Sequence, residues 1–506
     1  MDVNQLLSRH IRNVQDLKSV LSKGTDSDKG ILLDAVAMKF LDSFARTNSK
    51  EEVGWAIILE MLAVRVTPSS RPHYPAMLYN LGFALGIRFK EFGSIDDLNQ
   101  SIANYQLAVE SAPENYYLRP DMLNNLGTEL RSRSQKTGSI DDFEEAIGKL
   151  EEAIEAAAGD HPSRPIALRN LGTSLRMRFE QTKCIKDLDR AIFMIELAVQ
   201  AIPPQHPVRA EMLDDLGTVL GMRSDKTGSM DDLERSIELS EEAVGLAGTD
   251  EVYLNNWGCS LLCRFKRKGI MEDLDRAIEK CRLAVEMTPM NYPHFGRAVD
   301  NFVDAVIMRF DATGSAEHVD FAVEKIKEAV KITPSDDPKY TQYFAQLGIA
   351  SRTKFERMGS MEDINCAIEV FDKLVKVTPV GGPEYVSHLK NLGRVWLDRA
   401  KRTGSIDEVR NAVEKFQEAV ELTPVGHPNR AGTLDGLSDA LKSLFDKTGS
   451  MDDLDLAIQM SSEARQLTSP DDSQQYAQYL HNWGVILARR FMTTGAIEDL
   501  ESSIEK

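Results

Sequence analysis

PSRPIALRNLGTSLRMRFEQTKCIKDLDRAIFMIELAVQAIPP, residues 162–204, holds two helical signatures with one break between them. Leu168, Leu171, Leu175 and Phe179 recur at spacings of three and four, which places them on one face of a helix. Pro162 sits where a first helical turn tolerates a missing N–H. The stripe breaks around Thr182-Lys183, and Ala191, Ile192, Ala198 and Val199 then mark a second helix that stops near Pro203. Sister segments read Thr137-Gly138-Ser139, Thr227-Gly228-Ser229, Thr403-Gly404-Ser405 and Thr448-Gly449-Ser450 at the break. Such a glycine ends one helix in a left-handed turn, and the serine caps the next. Acidic pairs follow (Asp96-Asp97, Asp141-Asp142, Asp231-Asp232, Asp452-Asp453), where they favour the positive end of the new helix. The stretch predicts an antiparallel helix pair, with small alanines where the two helices approach.

The pair recurs. Leu171-Gly172 has counterparts at Leu81-Gly82, Leu126-Gly127, Leu216-Gly217, Trp257-Gly258, Leu347-Gly348, Leu392-Gly393 and Trp483-Gly484, with Val36-Ala37, Phe302-Val303 and Leu437-Ser438 as degenerate copies. Of the ten intervals between these eleven anchors, eight are 45 residues, one is 41 and one is 46. Self-similarity at that period means a stacked array in which each unit buries its apolar face against its neighbours. The expected fold is all-α, a right-handed superhelical solenoid of antiparallel helix pairs. Residues 1–30 are expected to form a capping helix (over about Val3 to Leu21) and a loop, and residues 31–506 eleven helix pairs, the last incomplete. The weakest joint is expected at Phe302-Val303, where the glycine that permits close helix approach is lost.

Composition bounds the partners. Acidic residues exceed basic ones by 79 to 60, a formal charge of −19. That balance argues against nucleic acid, which is bound through a basic footprint, and against anionic membrane surfaces. Protein and peptide partners stay open. The start, MDVNQLLSRHIRNVQ, lacks the layout of a secretory signal, and the richest apolar stretch, Trp55 to Val66, is broken by Glu60 and Arg65. Five cysteines make no disulfide framework, so a cytoplasmic setting is the default.

The order Leu-Gly, small residue, aromatic, alanine, proline in Leu81-Gly82, Ser101, Tyr105, Ala108 and Pro113 resembles the tetratricopeptide repeat, and the resemblance covers about residues 31 to 506. The unit of 45 residues is longer than that family's 34, around the first helix and its turn and again in the link between repeats. At the 41-residue interval, between Gly248 and Leu254, the link reverts to ordinary length. The extended version is similar to the arrays of fungal proteins that carry a CHAT-type protease after the repeats.

Two files of side chains are candidate sites. The residue before the anchor is Asn80, Asn125, Asn170, Asn256, Asn301, Asn391 and Asn482, with Asp215, Gln346 and Gly436 as substitutes. An amide both donates and accepts, so it can pair with the backbone of an extended peptide. In similar superhelices, such as that of the O-linked N-acetylglucosamine transferase, asparagines here form a ladder along the concave face. The alternative is that these amides bond to neighbouring helices and hold repeat register. The second file is basic and lies seven residues after the anchor: Arg88, Arg133, Arg178, Arg223, Arg264, Arg309, Lys354, Arg399 and Arg490. It would suit an acidic partner, but pairing with the acidic residues of the same repeat accounts for both. Cys259, Cys263 and Cys281 are too few for a zinc site and read as core, so no metal or cofactor is expected. His161, His206 and His427 fall in the links between repeats and read as turn residues.

No phosphate-cradling loop, nucleophile elbow or metal-protease motif occurs, and the acidic pairs recur too regularly for an active site. The expected function is a binding scaffold whose concave face receives a protein or peptide, with no catalysis in this segment. The alternatives are the regulatory portion of a larger effector, such as a protease following the repeats, and a self-associating structural array. The last repeat starts its second helix near Ile497, so Leu500 and Ile504 are expected to need a following domain or another subunit.

Overall fold

The computed structural model describes residues 25–499 apart from 291, 293–294, 316, 334–337, 383, 428 and 469–472. The helix expected over Val3 to Leu21, and Leu500 and Ile504, lie outside the described residues. Through the described part run twenty-one α-helices and no strand. They come in pairs: α1 (Asp26–Thr47) with α2 (Lys50–Val66), α3 (Tyr74–Phe92) with α4 (Ile95–Ser111), and α5 (Arg119–Thr137) with α6 (Ile140–Ala156). The next are α7 (Arg164–Thr182) with α8 (Ile185–Gln200) and α9 (Arg209–Thr227) with α10 (Met230–Ala247). Then follow α11 (Glu251–Lys268) with α12 (Met271–Met287), α13 (Phe295–Thr313) with α14 (Val319–Ile332), and α15 (Pro338–Met358) with α16 (Met361–Val377). The last are α17 (Tyr385–Thr403) with α18 (Ile406–Glu421), α19 (Arg430–Thr448) with α20 (Met451–Gln466), and α21 (Ser473–Thr494).

Five of the turns inside a pair are built from the Thr-Gly-Ser element, among them the one between α5 and α6. Gly138 ends α5 at φ 75°, and its N–H reaches Ser134 O at 2.7 Å. Ser139 Oγ then accepts the Asp142 N–H at 3.2 Å, capping α6. Thr137 has a role of its own: its hydroxyl donates to Arg133 O at 2.9 Å and accepts the Ser139 N–H at 3.3 Å, tying both helices to one side chain. Where glycine is missing, Lys183 takes the left-handed conformation at φ 59°. The apolar stripes meet between the helices, with Leu171, Leu175, Phe179, Leu188 and Ile195 all buried in one cluster. The anchor glycine sets the spacing. A Cβ on Gly172 would lie 2.5 Å from Ile195 Cγ1, and one on Gly127 would lie 2.7 Å from Leu150 Cγ. In α13 that place is Val303, 1% exposed.

The chain divides into two compact units between Thr249 and Asp250, within the short link of the 41-residue interval. Within each unit the first helices of adjacent pairs touch, as α1 does α3, α5 does α7, α11 does α13 and α19 does α21. Among the described residues no second helix approaches the next second helix to that degree. A stack whose first helices lie closer together curves with those helices on its inner side.

Candidate functional site

The links between pairs fix how one repeat meets the next. Arg164, the first residue of α7, donates from Nη1 to Ile154 O at 2.7 Å and Ala157 O at 3.2 Å. Those are carbonyls at the end of α6 with no helical partner. Arg119 does the same for α4, reaching Val109 O at 2.8 Å and Ala112 O at 3.0 Å. These arginines were legible as a 45-residue recurrence, at 119, 164 and 209, that the reading of anchors and prolines passed over. The linker histidines serve the turn: Nδ1 of His161 accepts the Ser163 N–H at 3.2 Å, and Nδ1 of His427 accepts that of Asn429 at 3.1 Å.

The asparagine file lies on the first helices, half-buried at every position. Nδ2 of Asn80 donates to Asp34 Oδ1 at 2.7 Å, that of Asn125 to the Tyr79 hydroxyl at 3.1 Å, and that of Asn170 to Asn124 Oδ1 at 2.8 Å. Asn301 reaches Asn255 Oδ1 at 2.9 Å, and Asn482 reaches Asp435 Oδ1 at 2.8 Å. In each of these bonds the partner is the residue two before the preceding anchor, which adjacent stacked first helices bring alongside; Asn125 also donates to the Tyr105 hydroxyl at 3.4 Å. Where the file reads Asp215, the partner is basic and the bond persists, with Arg169 Nε 2.5 Å away. Asn391 stands 46 residues after Ala345, which has no polar group to meet it. The file thus joins consecutive repeats, and it retains capacity. Among the described residues, Oδ1 of Asn80, Asn170 and Asn301 accepts no bond, and Asn391 makes none at all. Burial pushes the partners' ionisation: the Tyr79 phenol rises to about 12 and the Asp300 carboxyl to about 6, the latter opposed by bonds from Gln342 and Gln346.

The basic file is engaged inside the array. Nε and Nη2 of Arg88 hold Asp97 at 2.7 and 2.6 Å, and the same two-point grip joins Arg133 to Asp142, Arg178 to Asp187 and Arg223 to Asp232. It also joins Arg264 to Asp273 and Arg490 to Asp499. Arg399 reaches Glu408 at 3.0 Å, and Lys354 reaches Asp363 at 3.6 Å. Nη1 extends to the previous second helix: Arg178 to Glu144 at 2.9 Å and Arg223 to Asp189 at 3.0 Å. Each such guanidinium therefore ties three helices together. The bidentate bonds hold the Asp232 carboxyl below the usual carboxylate range and raise the Arg178 guanidinium. Arg309 meets no acid nine residues on, because that position is His318.

Cys281 is buried, and Cys259 and Cys263 are half-buried on α11. Burial drives the Cys281 thiol up and the Cys259 thiol to about 12, which disfavours thiolates. Among the described residues no three His, Cys, Asp or Glu side chains are grouped to hold a metal, and no helix is long and apolar enough to cross a membrane.

No protein-family model matches the sequence, and no curated protein matches it. Among solved structures the chain is similar to human IFIT1, solved as a dimer with PPP-AAAA, at 14% identity over 90% of each chain, with TM-score 0.45. It is also similar to a tetratricopeptide repeat protein from Parabacteroides merdae, at 14% identity over 62% of this chain and 98% of that one, with TM-score 0.37. YrrB, a TPR protein with an unusual peptide-binding site, is 15% identical over 45% of this chain and 96% of its own, with TM-score 0.31. By its own repeat and packing, the chain is a helical array of tetratricopeptide-like pairs.

Proposed function

We propose that the chain is a binding scaffold whose first helices receive an extended segment of a protein or peptide partner on the inner side of each unit, and that it acts by binding and not by catalysis. The supporting observation is the uncommitted half of the asparagine file. Asn80, Asn170 and Asn301 are each held in place by one N–H and keep a carbonyl oxygen and a second N–H for a ligand. That pair of groups matches the N–H and C=O of a peptide backbone and asks nothing of its side chains. Pre-orientation by the repeat contact lowers the ordering cost of binding.

Asn391→Ala is the clean test, since it breaks no internal bond among the described residues. Panning a random dodecapeptide library on the whole chain should enrich binders, some of which lose about tenfold in affinity, roughly 1.4 kcal/mol, in the Asn391→Ala protein. No enrichment, or affinities all unchanged by Asn391→Ala and by Asn170→Ala, would refute the reading.

A further inference from the structure

We propose that the inner side of the second unit selects a partner segment that carries a basic and an acidic residue about six positions apart. The inference rests on the scaffold reading above and names the chemistry of its ligand. The acidic side chain lies against α17 and the basic one against α13.

Two substitutions free α17 from its neighbours. In every other first helix, at least one of the two residues before the anchor bonds an adjacent first helix. In α17 neither does. Asn391 stands opposite Ala345, and Lys390 opposite Gly436, which has no side chain. Lys390 makes no hydrogen bond or ion pair among the described residues; it is half-buried, and its ammonium is not sealed from solvent. Its Nζ rests over Gly432 of α19, 3.2 Å from where a Cβ would stand, in a notch that the Tyr479 hydroxyl also borders. Burial first, then the like charge of Arg394, lower the ammonium below the ordinary lysine range, with Asp435 opposing. Arg394, one turn on, has a side chain 41% exposed; its acid is Asp439, 3.8 Å away and shared with Lys401 at 3.4 Å. Lys390, Arg394 and Lys401 together face the two acids Asp435 and Asp439, which leaves one positive charge for an incoming carboxylate.

Lys390 and Arg394 stand two before and two after their anchor. In α13 those positions are Asp300 and Asp304. Asp300 is tied to Gln342 of α15. Asp304 is exposed and makes no hydrogen bond or ion pair among the described residues, and Lys266 of α11 acts on it only from beyond ion-pair reach. The same positions of α15, which lies between, are the uncharged Ala345 and Ile349. α13 touches α15, and α15 touches α17. Helices in contact lie about 10 Å apart, so the acidic and cationic places are separated by roughly 20 Å. An extended chain covers that distance in about six residues. One extended segment can therefore set a basic side chain on Asp304 and an acidic one on Lys390 and Arg394, with its backbone beside Asn391.

The test measures fluorescence anisotropy of labelled Gly-Ser-Lys-Ser-Ala-Thr-Ala-Ser-Glu-Ser-Gly-amide with the whole chain. Two further peptides are the one with Lys and Glu exchanged and one of equal composition with Lys and Glu adjacent. One of the two spaced orders should bind about tenfold more tightly than the adjacent control. Lys390→Gln, Arg394→Gln and Asp304→Asn should each weaken that peptide by about the same factor. Replacing the peptide's Glu by Gln should remove the effect of Lys390→Gln and keep that of Asp304→Asn; replacing its Lys by Gln should do the reverse. Lys390 and Asp304 hold no internal bond, so both variants should keep the urea midpoint of the unaltered chain; if Lys390→Gln shifts it, Arg394→Gln decides. No binding of either spaced order, equal binding of the adjacent control, or affinities unmoved by the three variants would overturn the proposal. Library binders that still depend on Asn391 would then leave the scaffold reading standing, and their absence would remove both.

Discussion

Glu60 stands on α2 at the place where other second helices carry Tyr105, Leu150, Ile195 or Phe371. It is 0% exposed, and neither carboxyl oxygen has a hydrogen-bond partner of its own among the described residues. Burial first, then the charge of the neighbouring Asp34, push its carboxyl from an ordinary 4.5 to about 10. Near neutrality the folded chain therefore keeps a proton on Glu60 that the unfolded chain releases. The sign follows: the stability is fully present below 4.5 and is lost as pH rises toward about 10. Each pH unit in that window costs about 1.4 kcal/mol, so two units, from about pH 6 to pH 8, cost roughly 3 kcal/mol in the first repeat. Glu60→Gln carries no such proton, and its amide can donate to Asp34 permanently. Repeat arrays open locally, so the suitable measurement is hydrogen exchange of the α1 and α2 amides, corrected for intrinsic rates. The unaltered chain should lose about a hundredfold in protection between about pH 6 and pH 8, and the Gln variant should lose little. Equal pH dependence in both proteins, or none in either, would refute the assignment of a protonated Glu60.

Gly172→Ala places a Cβ 2.5 Å from Ile195 Cγ1 and 3.1 Å from Ala191 O; it should destabilise the α7–α8 pair by about 1–3 kcal/mol, read as a lower urea midpoint for that pair. Asp187→Ala leaves the Arg178 edge without its acid, where the lost side chain is 8% exposed; exchange in the first turn of α8 should accelerate by the equivalent of about 2 kcal/mol. Arg164→Ala uncovers the carbonyls of Ile154 and Ala157 and should cost about 1 kcal/mol, with faster exchange at the end of α6 and the start of α7.

The helix pairs were legible because their signals are local. Leucines three and four apart, a glycine free to adopt a positive φ and a serine before an acidic pair act within one or two turns of chain, and the period repeats them. The same reading found both polar files but could not tell what they face. Asn170 looks the same in the sequence whether it meets a ligand or Asn124, because that partner, 46 residues back, arrives only when first helices stack. Arg178 likewise acquires Glu144, 34 residues upstream, through packing of one second helix beside the next first helix. The arginine–acid pairing within a repeat was foreseeable because its spacing of nine crosses a single tight turn. His318 could be read as an odd residue in the motif. That Arg309 Nε has no hydrogen-bond partner among the described residues depends on how the neighbouring helices pack around it. Sequence determined the elements and their period, since those follow from propensity and local hydrogen bonding. Tertiary structure decided which polar groups are used up between repeats and which stay open, because that depends on distances between residues far apart in the chain.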